Sequence, residues 1–438
     1  KHASRFTNDL YYRKTKQYCA HIMSDVRCTI SDNGYVFTCG DKSYGPTLNI
    51  NDLASDTISS ALGCDQKDVN DARWAACTAE TEKEITLDEV ADILSSTIKK
   101  DKTTKLITFS SMLLAQTEDS QFNIGLQAES STGKSYIPLE MISYFPEEEA
   151  MVIAGASPTA FFHDKGYYDE ENRRYLVDLE GKILIFLDQP HFFLLERLRP
   201  LLSHDKKELE YKITDKNKGG SLRTKTVIIR GFPCVIFCTV KLDPDEQEKT
   251  RLFLLSPETD EGKLRETIQL LAQKHGNINV YRQNIDQNCK RKLLQERIVK
   301  IRAKKIKNII VQDVEKLVQR FYENNRKLKP RDQRDFPRII SLIKSHALLN
   351  CFTREAVGQF DIMANEVDVE AGFVLYADIS TANELGLPPY VYEVFNKVFI
   401  PLFESGISVS RQEIEKKYFE VYFKPLNYTW FNKFLEPS

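Results

Sequence analysis

Apolar residues in the middle of the chain form short continuous runs instead of alternating with polar residues. Four of these runs cover residues 122–126, 150–154, 183–187 and 234–238. Continuous runs of this length are typical of strands that are buried on both faces of a parallel sheet. Because segments of helical periodicity separate the runs, the pattern predicts an α/β core built on a parallel sheet.

Two capping boxes mark helices outside this predicted sheet. Thr86 with Glu89 precedes an apolar helical stripe and predicts a helix that extends to Lys100. Ser410 with Glu413 opens the second of three short helices near the end of the chain. Three short helices in succession are typical of a winged-helix or helix-turn-helix module.

Between these two regions, residues 289–377 follow a helical period throughout, which predicts an all-helical lid. Within the lid, Asp335 is the predicted N-cap and Pro337 lies in the first turn of a helix over residues 338–350.

A chain of 438 residues is too long for one compact core, so two to four domains are expected. The shifts in pattern divide it into an accessory region (1–85), an α/β core (86–285), the helical lid (286–382) and a winged-helix-like region (383–438). The chain begins at Lys1 without a methionine and ends within a region typical of an unfinished domain. We therefore expect it to be part of a larger protein.

The balance of 61 basic and 63 acidic residues excludes a uniformly basic coat, so any nucleic-acid binding has to come from local clusters. No apolar run approaches the roughly 20 residues that span a bilayer, and no signal-peptide order opens the chain. We therefore expect a cytoplasmic protein without membrane contact. Nine cysteines, an odd number, favour reduced thiols over a disulfide framework.

The strongest chemical signal is the sequence Ala-Glu-Ser-Ser-Thr-Gly-Lys-Ser at residues 128–135, which lies between a predicted strand and a predicted helix. A phosphate chain requires backbone N–H groups, a long cation and a hydroxyl that shares Mg²⁺, and this loop supplies all three. The predicted nucleotide-binding residues are Glu129, Ser130, Ser131, Thr132, Gly133, Lys134 and Ser135. The alternative is a chance Gly-Lys-Ser in a solvated loop, since alanine stands where the usual pattern has its first glycine.

A second element supports ATP and Mg²⁺ as ligands. The apolar run 183–187 ends at Asp188, where a Walker B aspartate would complete the Mg²⁺ shell together with Ser135. The next residue is Gln189, where this motif normally has a glutamate. Because a glutamine can orient water but cannot accept its proton, slow hydrolysis or another carboxylate base is expected. An apolar run that ends in aspartate is also common for structural reasons alone.

Three further residues are candidates for catalysis. Thr239 ends the run 234–238 at a position suited to sensing the γ-phosphate. Arg251 is a candidate arginine finger that would act on a neighbouring subunit, with an ordinary surface arginine as the alternative. Arg338, in the predicted lid, would fold over the nucleotide or, alternatively, form a salt bridge within the lid.

A basic hairpin is predicted over residues 209–230, turning through Lys-Gly-Gly-Ser. Basic side chains at such a tip can grip a phosphate backbone, although a solvated hairpin kept polar against edge pairing has the same pattern. The predicted nucleic-acid-binding residues are Lys212, Lys216, Lys218 and Arg223.

Cys19, His21, Cys28 and Cys39 are a candidate zinc set. Their spacing matches none of the closely spaced ligand pairs of structural zinc sites, so free thiols are the expected state.

Taken together, residues 105–380 resemble the motor of a minichromosome-maintenance AAA+ helicase, in a divergent archaeal or mobile-element form. The resemblance depends on the order of the motifs: the loop at Lys134, the small-residue stretch 154–160, the segment 179–182 before Asp188, the basic hairpin, Arg251, and the segment 338–347. It implies an AAA+ core, a hexameric ring with ATP between subunits, and a hairpin that translocates along DNA.

These observations predict an ATP-driven DNA helicase or translocase that acts in replication. An ATP-switched protein that binds DNA or loads at an origin, with slow hydrolysis, is the competing hypothesis. A remodelling ATPase that acts on protein is a third.

Overall fold

The computed structural model describes residues 26–31, 34–47, 55–155, 167–188, 192–216, 222–239, 251–286, 288–325, 327–385, 389–405 and 409–426. The described residues before Lys83, with Gln283–Leu293, form one compact unit, and the remainder forms the other. The three regions 86–285, 286–382 and 383–438 therefore fall in a single unit, apart from Gln283–Leu293.

The first unit contains a small antiparallel sheet and two helices. They are β1 (Val26–Ser31), β2 (Gly34–Cys39), β3 (Lys42–Thr47), α1 (Ser55–Leu62) and α2 (Gln66–Glu82), with the strands paired in chain order. Phe37, Ile58 and Leu62 form the centre of its core.

The second unit opens with two helices and continues with strands and helices in alternation. The elements are α3 (Leu87–Leu94), α4 (Lys102–Leu113), β4 (Asn123–Gln127), α5 (Tyr136–Met141), β5 (Ala150–Ile153), β6 (Tyr167–Asp169), β7 (Arg174–Asp178), β8 (Ile183–Phe186), α6 (Phe192–Leu202), β9 (Glu208–Lys216), β10 (Leu222–Arg230), β11 (Cys234–Thr239) and β12 (Leu252–Leu255). Thr86 and Glu89 form the predicted capping box. The helix that they open ends at Leu94, earlier than predicted, because the hydroxyls of Ser95 and Ser96 bond the last carbonyls and the backbone tightens into turns.

The central sheet has the strand order β12-β4-β11-β8-β5, and every pair in it is parallel. β4, β8, β11 and β12 are buried along their whole lengths, whereas the edge strand β5 exposes Val152. The prediction of a parallel α/β sheet is confirmed, and the continuous apolar runs are explained by layers packed against both faces.

A second sheet combines two hairpins in the order β6-β7-β10-β9. β9 and β10 form the predicted hairpin in full register, and β10 also pairs in parallel with β7. Val177, Val227 and Ile229 pack beneath this sheet against α6. The β6–β7 hairpin was not predicted, because its strands are short and mostly polar or aromatic.

The rest of the unit is mainly helical. Its elements are α7 (Glu261–Gly276), α8 (Ile278–Asp286), α9 (Cys289–Lys304), β13 (Asn308–Ile310), α10 (Val314–Asn324), α11 (Asp332–Leu349), β14 (Asp361–Met363), α12 (Glu366–Glu384), α13 (Pro389–Val394), α14 (Ile400–Ser405) and α15 (Arg411–Tyr422). The end of α8 and the start of α9, within Gln283–Leu293, belong to the first unit. The predicted all-helical lid is wrong in one respect, since β13 and β14 pair in parallel. Strands of three residues are too short to produce a recognisable period.

The predicted N-cap at Asp335 is also wrong. α11 begins at Asp332, and the fully buried Asp335 lies inside the helix, where its carboxylate pairs with Arg331 and Arg338. These ion pairs one turn apart stabilise the helix on both sides of Pro337, which lacks one backbone bond.

The carboxyl-terminal part is a helical cluster. α13, a single π-helical turn and α14 run on without a break, and the capping box of Ser410 and Glu413 opens α15 as predicted. The third helix of the predicted winged-helix module lies outside the described residues.

A buried ion network connects α11 and α12. His346 Nδ1 lies 2.6 Å from Asp368 Oδ1, and Arg354 donates to both oxygens of Asp368 and to Glu84. Burial alone would raise the pKa of Asp368, but the hydrogen bonds from His346 and Arg354 hold that pKa below its ordinary value.

Replacement of Asp368 by Asn should lower the free energy of unfolding by about 3 kcal/mol at neutral pH, because it removes the buried partner of Arg354 and leaves this guanidinium only the half-exposed Glu84. Urea denaturation measures this change. A group with a lowered folded pKa stabilises the fold above its unfolded pKa and loses that effect as the pH falls through the folded value, so the difference between the proteins should shrink below about pH 4. Glu370→Gln, in an exposed pair with Arg320, is the control and should change stability by less than about 1 kcal/mol. Equal urea midpoints for Asp368→Asn and wild type would contradict the role of the network.

Candidate nucleotide site

The loop that follows β4 contains a backbone conformation that favours glycine. Gly133 has a φ of +94°, and a Cβ built there would meet nothing within 4 Å, so the restriction lies in the backbone and not in the space around it. Thr132 Oγ1 donates to the Glu129 carbonyl at 2.9 Å, and the Ile137 N–H donates to the Gly133 carbonyl at 3.1 Å. Helical hydrogen bonding thus begins inside the loop and continues into α5, which confirms the predicted order of strand, loop and helix.

The Lys134 side chain is folded back over this loop. It is almost buried, and its Nζ donates to the Glu129 carbonyl at 2.6 Å. Burial lowers the pKa of Lys134, while the neighbouring Cys238 and Glu129 act in the opposite direction. A desolvated ammonium group gains more than an exposed one from an anionic partner, so a phosphate chain is a suitable ligand for it.

Ser135 connects the loop to the adjacent strand. Its side chain hydrogen-bonds the thiol of Cys238 in β11, and Cys238 Sγ donates to the Lys134 carbonyl at 3.7 Å. Burial raises the pKa of Cys238 to about 12, so this thiol stays neutral and packs as a structural group. The hydroxyl of Ser135 is therefore held at the carboxyl edge of the sheet.

The same edge carries two more of the predicted residues. Thr239, the buried last residue of β11, pairs with Gln127 at the end of β4. Phe237 pairs with Phe186 of β8, so Asp188, two residues later, reaches the level of Thr239. Asp188 is exposed, whereas Gln189 lies outside the described residues. The sheet therefore brings Lys134, Ser135, Thr239 and Asp188 to one edge.

A cleft of about 440 Å³ opens beside the loop. Its walls come from the predicted residues Glu129, Ser130, Ser131, Thr132 and Gly133, from the turn between α3 and α4, and from α7. Ile98, Tyr136 and Leu264 give one side an apolar lining that a flat heterocycle would fit.

A buried ion pair joins two walls of this cleft. Lys263 Nζ lies 2.5 Å from Asp101 Oδ2 and also donates to the Thr132 carbonyl at 3.4 Å. Burial raises the pKa of Asp101, opposed by the charge of Lys263 and by a hydrogen bond from the Glu258 N–H. Because Lys263 is paired with Asp101, its ammonium supports the loop through the Thr132 carbonyl and is not a free cation for a ligand.

The carboxyl-terminal cluster closes the other side of the cleft. Tyr422 and Lys424 line it, and the Lys424 ammonium contacts the carboxylate of Glu129. The Tyr390 N–H donates to Ser256 Oγ, which itself donates to the Gln127 carbonyl at 2.7 Å. A chain of hydrogen bonds thus connects this cluster to the strand that carries the loop.

Arg251 and Arg338 do not lie near Lys134. Both line a separate cavity of about 540 Å³ at the amino edge of the sheet, beside the residues that lead into β4. Arg251 Nε donates to Ser203 Oγ at 2.5 Å. Arg338 Nη1 donates to Asp335 at 2.8 Å, and its guanidinium lies 4.9 Å from the centre of the Phe253 ring. Within one chain, Arg338 therefore forms the lid salt bridge that was the alternative for it.

The predicted nucleic-acid residues belong to the β9–β10 hairpin. Lys212 is exposed on β9, Lys216 ends β9 opposite Leu222, and the backbone of Arg223 lies opposite that of Asp215 in the strand register. Lys218 lies outside the described residues.

The predicted zinc set is only partly described. Cys28 and Cys39 lie on β1 and β2, and Cys19 and His21 fall outside the described residues. No group of three or more potential metal ligands occurs among the residues that the structure covers.

The residues that sequence reasoning missed are Asp101, Lys263 and Lys424. Asp101 and Lys263 lie in ordinary charged stretches, Lys424 is a lone charge among apolar and aromatic residues, and all three come to the cleft only through tertiary packing. Of the three, only Lys263 had a local signal, since it lies in the first turn of α7, behind the N-cap Asp260.

No protein-family model matches the chain, and a search of curated proteins finds no match either. In the part of the chain that is described, no helix combines the length and apolarity that a bilayer crossing requires.

Proposed function

We propose that this chain is an ATPase of the AAA+ class that acts as a DNA helicase or translocase within a ring of subunits. The observation that carries the proposal is the meeting of Lys134, Ser135, Thr239 and Asp188 at the carboxyl edge of a parallel sheet. Ligands of α/β sheets bind at that edge, and a loop with a glycine, a lysine and a hydroxyl is suited to polyphosphate.

ATP and Mg²⁺ fit the residues present. The space beside Gly133 is open, Lys134 supplies a desolvated cation, and Ser135 and Asp188 supply the hard oxygen ligands that Mg²⁺ takes. Bound Mg²⁺ would neutralise charge on the phosphates. Thr239 would contact the terminal phosphate, and Gln189 would orient the attacking water without accepting its proton.

The strand order supports the AAA+ assignment in particular. β11 lies between the strand that carries the loop and the strand that leads to Asp188, so the sheet order is β12-β4-β11-β8-β5. A strand inserted at this position, with a polar residue at its end, is the arrangement of AAA+ proteins. The helices from α9 to α12 would then be the lid, and the cluster after Pro389 a winged-helix-like domain.

The separation of the two edges supports the proposed ring. β4 has five residues, so Arg251 lies on the order of 15 Å from the loop of its own chain. In a head-to-tail ring, the amino edge of one subunit can face the loop of the next, and Arg251 would then stabilise the phosphates of its neighbour. Arg338, which lines the same cavity, would also act on the neighbour's nucleotide.

The hairpin is the proposed contact with DNA. Lys212 is exposed, and Tyr167 of the same sheet is 71% exposed, so the sheet offers both a cation and an aromatic face to a nucleic acid strand. The competing proposal is an ATP-switched DNA-binding or origin-loading protein, which Gln189 favours because hydrolysis would be slow.

Lys134→Ala should weaken binding of a non-hydrolysable ATP analogue with Mg²⁺ by about 100-fold, because one charge-assisted contact to phosphate is worth about 3 kcal/mol. Titration calorimetry measures the affinity. Lys416→Ala removes an exposed lysine of α15 and should leave it unchanged. Equal affinities for Lys134→Ala and wild type would exclude the loop as the phosphate site.

Mixing two inactive variants tests the action of Arg251 across a subunit junction. Lys134→Ala and Arg251→Ala should each lose hydrolysis. An equal mixture with random exchange should recover about a quarter of the wild-type rate, because about one junction in four joins an intact loop to an intact arginine. A mixture of Lys134→Ala with the double variant should recover nothing. No recovery in the first mixture, despite proven exchange, would place Arg251 outside the neighbour's site.

Unwinding of a forked DNA duplex separates the motor from the switch. A motor should unwind the fork with ATP, and Lys134→Ala should abolish the activity. A switch should bind the fork in an ATP-dependent manner without unwinding it, and Gln189→Glu should raise its turnover by supplying a base. If DNA neither binds nor stimulates hydrolysis, both proposals fail.

A further inference from the structure

An acidic side chain lies inside the proposed phosphate loop. Glu129 is the second residue of that loop, next to Ala128, and its carboxylate contacts the ammonium group of Lys424. The two side chains are 39% and 40% exposed, so solvent screens the pair, and it contributes little to folding.

The charges around the cleft make this pair relevant to ligand binding. The lining contains three lysines, Lys99, Lys263 and Lys424, and three carboxylates, Asp101, Glu129 and Glu258. Lys263 is committed to Asp101, and the Lys99 ammonium donates to the Ser95 carbonyl. Without Lys424, Glu129 would keep only the nearby charge of Lys134, which the same polyphosphate would engage, and the Glu129 carboxylate would repel the phosphates.

Other contacts hold Lys424 in place. Ile414 and Tyr418 of α15 are buried against Val394 and Val398, and Leu426 belongs to the same cluster. The backbone N–H of Tyr390 is bonded to Ser256 Oγ, next to the carboxyl edge of the sheet. The segment that carries Lys424 therefore remains docked when this lysine is truncated, and the role of its charge can be tested separately from the role of its packing.

We propose that Lys424 is a positioning residue of the nucleotide site, which neutralises Glu129 so that the loop accepts a nucleoside polyphosphate. The inference rests on the proposed function, because it concerns the same loop. The carboxyl-terminal cluster thereby determines affinity for the nucleotide, although it lies 295 residues from the loop along the chain.

A four-protein cycle on the full chain tests this role, with a fluorescent non-hydrolysable ATP analogue and Mg²⁺ as the probe. Lys424→Ala should weaken binding roughly five- to tenfold at low salt, and less at high salt where the repulsion is screened. Glu129→Gln should bind more tightly than wild type, since it removes the repelling charge, leaves the Lys424 ammonium for the phosphates, and keeps the carbonyl that Lys134 and Thr132 use. The double variant should recover the affinity that Lys424→Ala loses.

The recovery distinguishes charge compensation from docking. If the pair only fastens the carboxyl-terminal cluster, Glu129→Gln should weaken binding as much as Lys424→Ala, and the double variant should recover nothing; that result would overturn the inference. Lys416→Ala, on the same helix, is the matched control and should bind like wild type. If Lys424→Ala binds the analogue with wild-type affinity, the inference that Lys424 neutralises Glu129 is also overturned.

Failure of the proposed function looks different. In that case the wild-type protein does not bind the analogue, or Lys134→Ala binds it equally well, whatever residue 424 is.

Discussion

The position of β11 between β4 and β8 is the constraint on which the proposed site depends. Parallel pairing fixes the register, so Thr239 lies beside Gln127, and Asp188 reaches the same level two residues beyond Phe186. Because β4, β8 and β11 are buried on both faces, a slip of one residue would turn apolar side chains away from the packing layer that each one fills. The packing of the core thus determines which polar residues meet at the carboxyl edge.

The same rigidity keeps the two edges apart. The amino edge carries Arg251 and Arg338, each held by a hydrogen bond to its own chain, and the carboxyl edge carries Lys134. A five-residue strand between them cannot shorten. Neither arginine would therefore reach a nucleotide bound at the loop of its own chain. The proposed ring would supply such a contact, because a head-to-tail arrangement opposes the two edges of adjacent subunits.

Local signals predicted the strands and the loop, while tertiary packing determined the rest. The continuous apolar runs and the glycine before Lys134 act within a few residues, so the parallel sheet and the order of strand, loop and helix could be predicted. The place of Asp335 could not be predicted, because its buried pairs with Arg331 and Arg338 displaced the helix start. Lys424 reaches Glu129 through the packing of the carboxyl-terminal cluster, and no pattern near residue 424 indicates this.

Two of the three carboxylates that line the cleft, Asp101 and Glu129, are paired with lysines, and the two pairs differ in burial. Asp101 is buried with Lys263. Because removal of either partner of such a pair destabilises the fold, a substitution at this pair would lower the stability of the protein. Glu129 is paired with Lys424 at a half-exposed position, where a change of partner costs little stability. The buried pair therefore maintains the shape of the cleft. In the proposed site, the exposed pair would be the one through which substitution or movement of the carboxyl-terminal cluster changes nucleotide affinity.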